Sequence, residues 1–208
     1  MPNKKNFATE VAAIAMIALF SVLPAAAASV DLSNPAFAQV AGKTSIPIGH
    51  SEFCKAHRGE CGKNRNVVDV ETLTEDRWQT LVAVNVEYNR SIVPVTDADL
   101  YHVEELWTYP QQGYGDCEDY ALAKRRALID AGWDPSTLLI AVVRQKTGDG
   151  HAVLMVRTDR GDLVLDNQDG SIRVWNETPY QYLKRQSQAN SGEWVDILDN
   201  RVTVVAQR

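Results

Sequence analysis

The 208-residue chain has no surplus of basic residues: 21 lysines and arginines stand against 27 aspartates and glutamates, a net charge of −6. An acidic chain without a basic patch argues against nucleic acid and anionic lipid as partners and better suits a divalent cation. Beyond its first residues the chain has no apolar run long enough to span a bilayer, which excludes a later membrane span. It also has no internal repeat and no low-complexity tract beyond the leader. Cysteine is scarce, with three in all.

What is present begins with that leader. Lys4 and Lys5 precede "VAAIAMIALFSVLPAAAA", which ends in small residues. A basic start, a short apolar core and an A-x-A exit describe a secretory signal peptide over residues 1–38, cleaved after Ala28 or after Ala38. Pro24 and the alanine-rich exit argue against an uncleaved anchor. Residues 39–208 keep 19 basic and 25 acidic residues, so the net charge stays at −6. That length suits a single domain with its own core.

Export changes how the cysteines read. Cys54 and Cys61 lie close together in "FCKAHRGEC", and an oxidising compartment favours joining them. The competing set of Cys54, His57 and Cys61 is one ligand short and unusually spaced for zinc. Pairing the first two leaves Cys117 alone, as a free reactive thiol or an intermolecular bridge.

Residues 39–68 are rich in turn formers and read as an irregular stretch clamped by the disulfide. "TEDRWQTLVAVNVEYNR" starts with a capping Thr74 and early acids, and Trp78, Leu81, Val82, Asn85 and Tyr88 recur at helical spacing. A long loop follows, with a helical turn near Asp97 to Leu100. "CEDYALAKRRALIDAGW" is the strongest helix, with Ala121, Leu122, Leu128 and Ile129 on its apolar face and Gly132 at its end. "LLIAVVRQ", "HAVLMVRT" and "GDLVLDN" are β-rich runs separated by "KTGDG" and "DR", which predicts consecutive antiparallel hairpins. Arg160, Gly161 and Asp162 spell RGD at the second break, where a tight turn accounts for them without a receptor. "SIRVW" adds a strand, and "EWVDI" with "RVTVVAQ" closes the sheet. Helices followed by mostly antiparallel strands make an α+β domain.

In this reading Cys117 opens a helix, His151 opens a strand and Asp166 ends the next strand. Antiparallel pairing brings His151 beside Asp166, and a helix N-terminus packed against that edge completes a Cys-His-Asp constellation. The helix dipole and free N–H groups favour a thiolate, by about 0.3–1 kcal/mol at an exposed site. His151 would take and return a proton, and Asp166 would orient the imidazole. Amides at the helix start are candidate oxyanion donors, with Gln111 and Gln112 in the preceding loop as further ones. Each residue has a plainer reading: Cys117 as a small core residue, Asp166 as a turn former. Trp107, Trp133, Trp175 and Trp194 read as core rather than as a peptide groove.

The opposing observation is "YGDCEDYA", in which Asp116, Glu118 and Asp119 surround Cys117 and no lysine or arginine is nearer than Lys124. Negative charge opposes thiolate formation. "GDCEDYALAKRRALIDAGW", followed by "HAVLMV" and "LDN", resembles the bacterial transglutaminase-like cysteine proteinases. The resemblance implies a papain-like, transglutaminase-type core with Cys117 as nucleophile, His151 as base and Asp166 as orienting acid. It also implies calcium on the acids bracketing the nucleophile, Asp116 and Glu118, to which the position of Asp119 on the next step of the helix adds a third. Carboxylate oxygens in a cluster suit calcium, and a bound dication reverses the field at the thiol. The alternative is that these acids only complement the helix N-terminus and face solvent.

The function so implied is a periplasmic, calcium-dependent cysteine endopeptidase acting on a protein of the cell envelope. By the same resemblance, its target is a surface adhesin and its restraint an inner-membrane receptor responsive to cyclic di-GMP. Two alternatives stand beside it. A transglutaminase or amidase would use the same acyl-enzyme with another acceptor. A calcium-dependent binding module would keep Cys117 as a structural residue.

Overall fold

The computed structural model describes residues 31–201. The signal-peptide segment up to residue 30, and the strand expected in "RVTVVAQ" beyond Arg201, lie outside the described residues. Among the described residues, no helix is long and apolar enough to cross a membrane.

Two helices follow their end signals. Helix α2 (Glu75–Ser91) is capped by Thr74, whose hydroxyl accepts the Arg77 N–H at 3.3 Å, with Glu75 and Asp76 in the positive first turn. It buries Leu81 and Asn85. Helix α4 (Cys117–Asp130) ends where Gly132 takes φ +85°. Gly132 N then reaches the Ile129 carbonyl and Trp133 N the Leu128 carbonyl, the paired bonds of a Schellman motif. The expected single apolar face of α4 is a partial description. Every residue from Glu118 to Arg125 is buried, four charged side chains included. The helix runs through the interior, between α2 and the sheet.

Among the described residues the sheet has seven strands. The three β-rich runs become β4 (Leu138–Arg144), β5 (Gly150–Thr158) and β6 (Gly161–Leu165), joined antiparallel as the turn residues dictate. Short β7 (Arg173–Val174) lies at one edge, inside the strand expected at "SIRVW". On the other flank β4 pairs with β8 (Gln181–Gln186), then come β9 (Trp194–Ile197) and β1 (Val40–Thr44). Leu138, Ile140, Leu154, Val156 and Leu163 are fully enclosed, and Trp107, Trp133, Trp175 and Trp194 are buried. Truncating such a leucine to alanine costs about 2–5 kcal/mol. Asp162 of the RGD turn is also buried, accepting the Ala38 N–H at 2.8 Å, so the turn reading stands.

Residues 39–68 are more ordered than their composition implied. They hold β1 and helix α1 (Ile48–Ala56), and β1 pairs with β9 at one flank of the sheet. β1 is almost wholly exposed and joins β9 through its backbone with a register shift, so no alternation marks it. β8 escaped notice for a related reason. "QYLKRQ" is polar, yet Arg185 and Gln186 are buried, and the Gln186 amide oxygen accepts the Ile140 N–H at 2.9 Å. Cys54 and Cys61 are joined by a disulfide. His50, not His57, lies against that pair, with its ring nitrogens 3.7–3.8 Å from Cys54 Sγ.

Candidate active site

Cys117 is the first residue of α4 and the only free cysteine among the described residues. Asp116 stands at the N-cap without a capping side-chain bond. Gly115 precedes it with reason: a Cβ there would come within 2.7 Å of Asp119 Oδ2. The thiol sulfur accepts the Ala152 N–H at 3.3 Å, one residue beyond His151 on β5. The thiol in turn donates to Glu118 Oε2 at 3.0 Å.

His151 and Asp166 meet as strand pairing predicts. β5 and β6 pair Leu154 with Leu165, which puts Asp166 just past its strand and beside the start of β5. His151 Nε2 lies 2.8 Å from Asp166 Oδ1, and both side chains are almost wholly buried. The Gln168 N–H donates to the same oxygen at 3.0 Å, and the Tyr180 hydroxyl donates to Oδ2. Burial opposes ionisation of Asp166, but the bond and charge of His151, then Tyr180 and Gln168, outweigh it and hold the carboxyl below its ordinary range. The Tyr180 ring also packs against the imidazole, with centroids 5.3 Å apart. With Nε2 committed to Asp166, Nδ1 has the Gln168 side-chain amide 3.5 Å away.

The acids around Cys117 behave differently. Short parallel strands β2 (Val93–Pro94) and β3 (Tyr114–Gly115) clasp the ends of the long loop, and α3 (Asp97–Leu100) starts soon after β2. Asp97 therefore comes to Asp116: its N–H donates to Asp116 Oδ2 at 3.4 Å. Asp97, Asp116 and Glu118 each present an oxygen, all within 4.8 Å of one another. Asp119 stands beside them, with Oδ1 accepting the Thr108 N–H at 2.9 Å. Asp116 Oδ1, Glu118 Oε1 and Asp119 Oδ2 are buried without any partner. Burial first, then the neighbouring carboxylates, push Asp119 up to about 8 and hold Glu118 well above the carboxylate range. Asp97 is raised to about 6, chiefly by burial. Burial, then Glu118, likewise hold the Cys117 thiol well above the ordinary cysteine range. Unpartnered, clustered carboxylate oxygens are the donor set of a hard divalent cation.

The sequence profile of the bacterial transglutaminase-like cysteine proteinases matches residues 40–202. The chain belongs to that family. It is a cysteine peptidase, which sets aside the binding-module alternative. Among solved structures, the proteinase is similar to calcium-bound LapG of Legionella pneumophila, at 23% identity over 57% of this chain and 68% of that one, with a TM-score of 0.49. It is similar to EGTA-treated LapG of the same organism at 24% identity, over 59% and 72% of the two chains, again with a TM-score of 0.49. No curated protein matches it.

Two members of this constellation were not singled out from the sequence. Tyr180 reaches Asp166 from a segment 14 residues on, with no motif to mark it. Asp97 stood inside the expected helical turn, where Thr96 caps by accepting the Asp99 N–H. Its approach to Asp116, 19 residues away, depends on the β2–β3 clasp. Gln111 and Gln112 are exposed, and the Gln111 carbonyl is occupied by Tyr114 N.

Proposed function

We propose that this proteinase is an exported, calcium-dependent endopeptidase that cleaves a protein segment exposed at the cell envelope, with Cys117 as nucleophile, His151 as acid–base and Asp166 as orienting acid. The observation that carries this reading is that the free thiol of Cys117 accepts the N–H of Ala152, the residue after His151, at 3.3 Å, while the His151 imidazole is bound to a buried carboxylate. Asp166 keeps its charge because three donors satisfy it, so it orients the ring and stabilises the imidazolium.

The chemistry follows from that arrangement. His151 Nδ1 takes the thiol proton, and the sulfur adds to the substrate carbonyl carbon. Collapse breaks the C–N bond as the imidazolium returns its proton to the leaving amine, leaving a thioester. Water, deprotonated by His151, then releases the acid and restores the thiol. N–H groups of the first turn of α4 are suited to the developing oxyanion.

Asp97, Asp116 and Glu118, with Asp119 beside them, are the residues that would hold calcium; Asp116, Glu118 and Asp119 each carry a buried oxygen without a partner. Bound there, calcium would supply positive charge next to a thiol that burial and Glu118 otherwise keep protonated. The family resemblance adds the finer identities: a surface adhesin as target, and a cyclic-di-GMP-responsive inner-membrane receptor as restraint.

The test is the alkylation rate of Cys117 by iodoacetamide across pH, with calcium and with EGTA, beside cleavage of an envelope protein extract. Calcium is expected to speed alkylation at neutral pH about tenfold for each unit by which it lowers the thiol pKa. Asp116→Asn should abolish that response, and Cys117→Ala should abolish cleavage. Alkylation indifferent to calcium would remove the metal from the reading. Capture of a labelled amine in place of hydrolysis would turn it to a transglutaminase.

A further inference from the structure

The loop from Asp166 to Gly170 is held from outside by one helix. On α2, Asn89 Nδ2 donates to the Asp166 carbonyl at 2.8 Å, and Asn85 Nδ2, one turn earlier, donates to the Gly170 carbonyl at 3.1 Å. The two amides grip the two ends of the segment that carries the acid. The Asn85 oxygen is also occupied, by Lys124 Nζ of α4 at 2.8 Å. An ammonium only donates, so this contact fixes which way the Asn85 amide faces and aims its NH2 at Gly170. A chain of hydrogen bonds therefore links the helix that begins with Cys117 to the loop that begins with Asp166.

These contacts are costly to maintain, which makes a purely packing role a poor account of them. Lys124 is 1% exposed, and its one hydrogen-bond partner is a neutral amide. Burial pushes its pKa down to about 7, opposed by the charge of Asp166. Asn89 leaves Oδ1 buried without a partner while its NH2 serves Asp166. An orphaned buried acceptor costs about 1–3 kcal/mol, a penalty that leucine or methionine would avoid.

We propose that Asn85, Asn89 and Lys124 are positioning residues for the reaction: they set the Asp166 loop against the nucleophile helix, so that the carboxylate meets His151 in register with Cys117. The inference rests on the Cys117–His151–Asp166 reading, and the experiment separates the two. Peptide hydrolysis is measured on the calcium-loaded mature protein carrying Asn89→Leu or Lys124→Met, with thermal unfolding followed alongside. Each variant is expected to lose at least tenfold in kcat with KM within twofold, assayed at a temperature where its melting curve shows it folded. Lys124→Met removes a buried cation but orphans the Asn85 oxygen, so its melting temperature should stay near the parent's.

A second readout does not depend on turnover. In a Cys117→Ala background, the Nε2 proton of His151 on Asp166 gives a downfield NMR resonance that Asn89→Leu should shift. Asn89→Ser is the replacement variant should leucine prevent folding, since it deletes the amide without adding bulk. Folded variants with kcat within twofold of the parent overturn the proposal. So does a kcat loss that only tracks the unfolded fraction, with the resonance unmoved. Full activity in Cys117→Ala or Asp166→Asn overturns the underlying reading instead, whatever the asparagines do.

Discussion

Asp166 beside His151, and the acids beside Cys117, are equally buried and oppositely behaved. Asp166 is 3% exposed, Glu118 4% and Asp119 0%. Burial alone would raise all three. Asp166 is nevertheless held low, because a ring nitrogen, a hydroxyl and a backbone N–H converge on its two oxygens. Glu118 and Asp119 are held high by burial first and then by the neighbouring carboxylates, with one oxygen of each left without a donor. Donor geometry, and not depth, decides the charge. Asp166 has its donors when the chain folds; Glu118 and Asp119 each keep an oxygen without one.

The sharpest way to break this contrast is to remove the charge on Asp166. Asp166→Asn keeps the shape of the side chain but offers His151 the wrong partner, so kcat should fall about 10³–10⁴-fold. Peptide hydrolysis by the calcium-loaded variant measures it, and calcium affinity from a titration should stay at the parent value. A loss of calcium binding in the same variant would mean that the two sides are not independent.

The next effect is on stability, and its sign follows from the raised values. In the ion-free protein Asp97 at about 6, Asp119 at about 8 and the elevated Glu118 retain protons that the unfolded chain releases near pH 4. The folded state then binds more protons, so stability is full below about pH 4 and falls as pH rises through those values. Each retained proton costs about 1.4 kcal/mol per pH unit. His50, held down to about 4 by burial, pulls the other way only up to its ordinary value near 6.5. Melting temperatures of EGTA-treated protein should therefore drop by several degrees between pH 5 and 7, at about 2–4 °C per kcal/mol. Saturating calcium should flatten the curve.

The smallest effect isolates a single acid. Asp119→Asn retains an acceptor for the Thr108 N–H but removes one acid that must take up a proton on folding at pH 7. In EGTA at pH 7 its melting temperature should rise by about 2–4 °C, and in calcium the gain should vanish or reverse. Differential scanning calorimetry in both conditions reads the difference. A rise of equal size with and without calcium would take Asp119 out of the ion's surroundings.

Much of this architecture was legible in the residues. Thr74 with Glu75 and Asp76 marked the start of α2, Gly132 marked the end of α4, and the breaks at "KTGDG" and "DR" forced β4, β5 and β6 into hairpins. Those signals are local: a hydroxyl capping a free N–H, a glycine at positive φ, a turn of few residues. The hairpin register then carried His151 to Asp166. β1 and β8 were illegible because their sequences carry no apolar alternation, and they are strands only by virtue of the neighbours that pair with them.

By itself, then, the chain's sequence determined the α+β class, the disulfide pairing of Cys54 with Cys61, and the helix that begins at Cys117. All of these depend on residues near one another along the chain. Only the tertiary structure decided that Asp97 joins Asp116, that Tyr180 satisfies Asp166, and that Asn85 and Asn89 hold the acid's loop from 77 to 85 residues away. The physical reason is range. A cap or a turn is specified by side chains within a few positions, whereas the charge state of a buried carboxylate depends on which distant donors the folded chain brings to its oxygens.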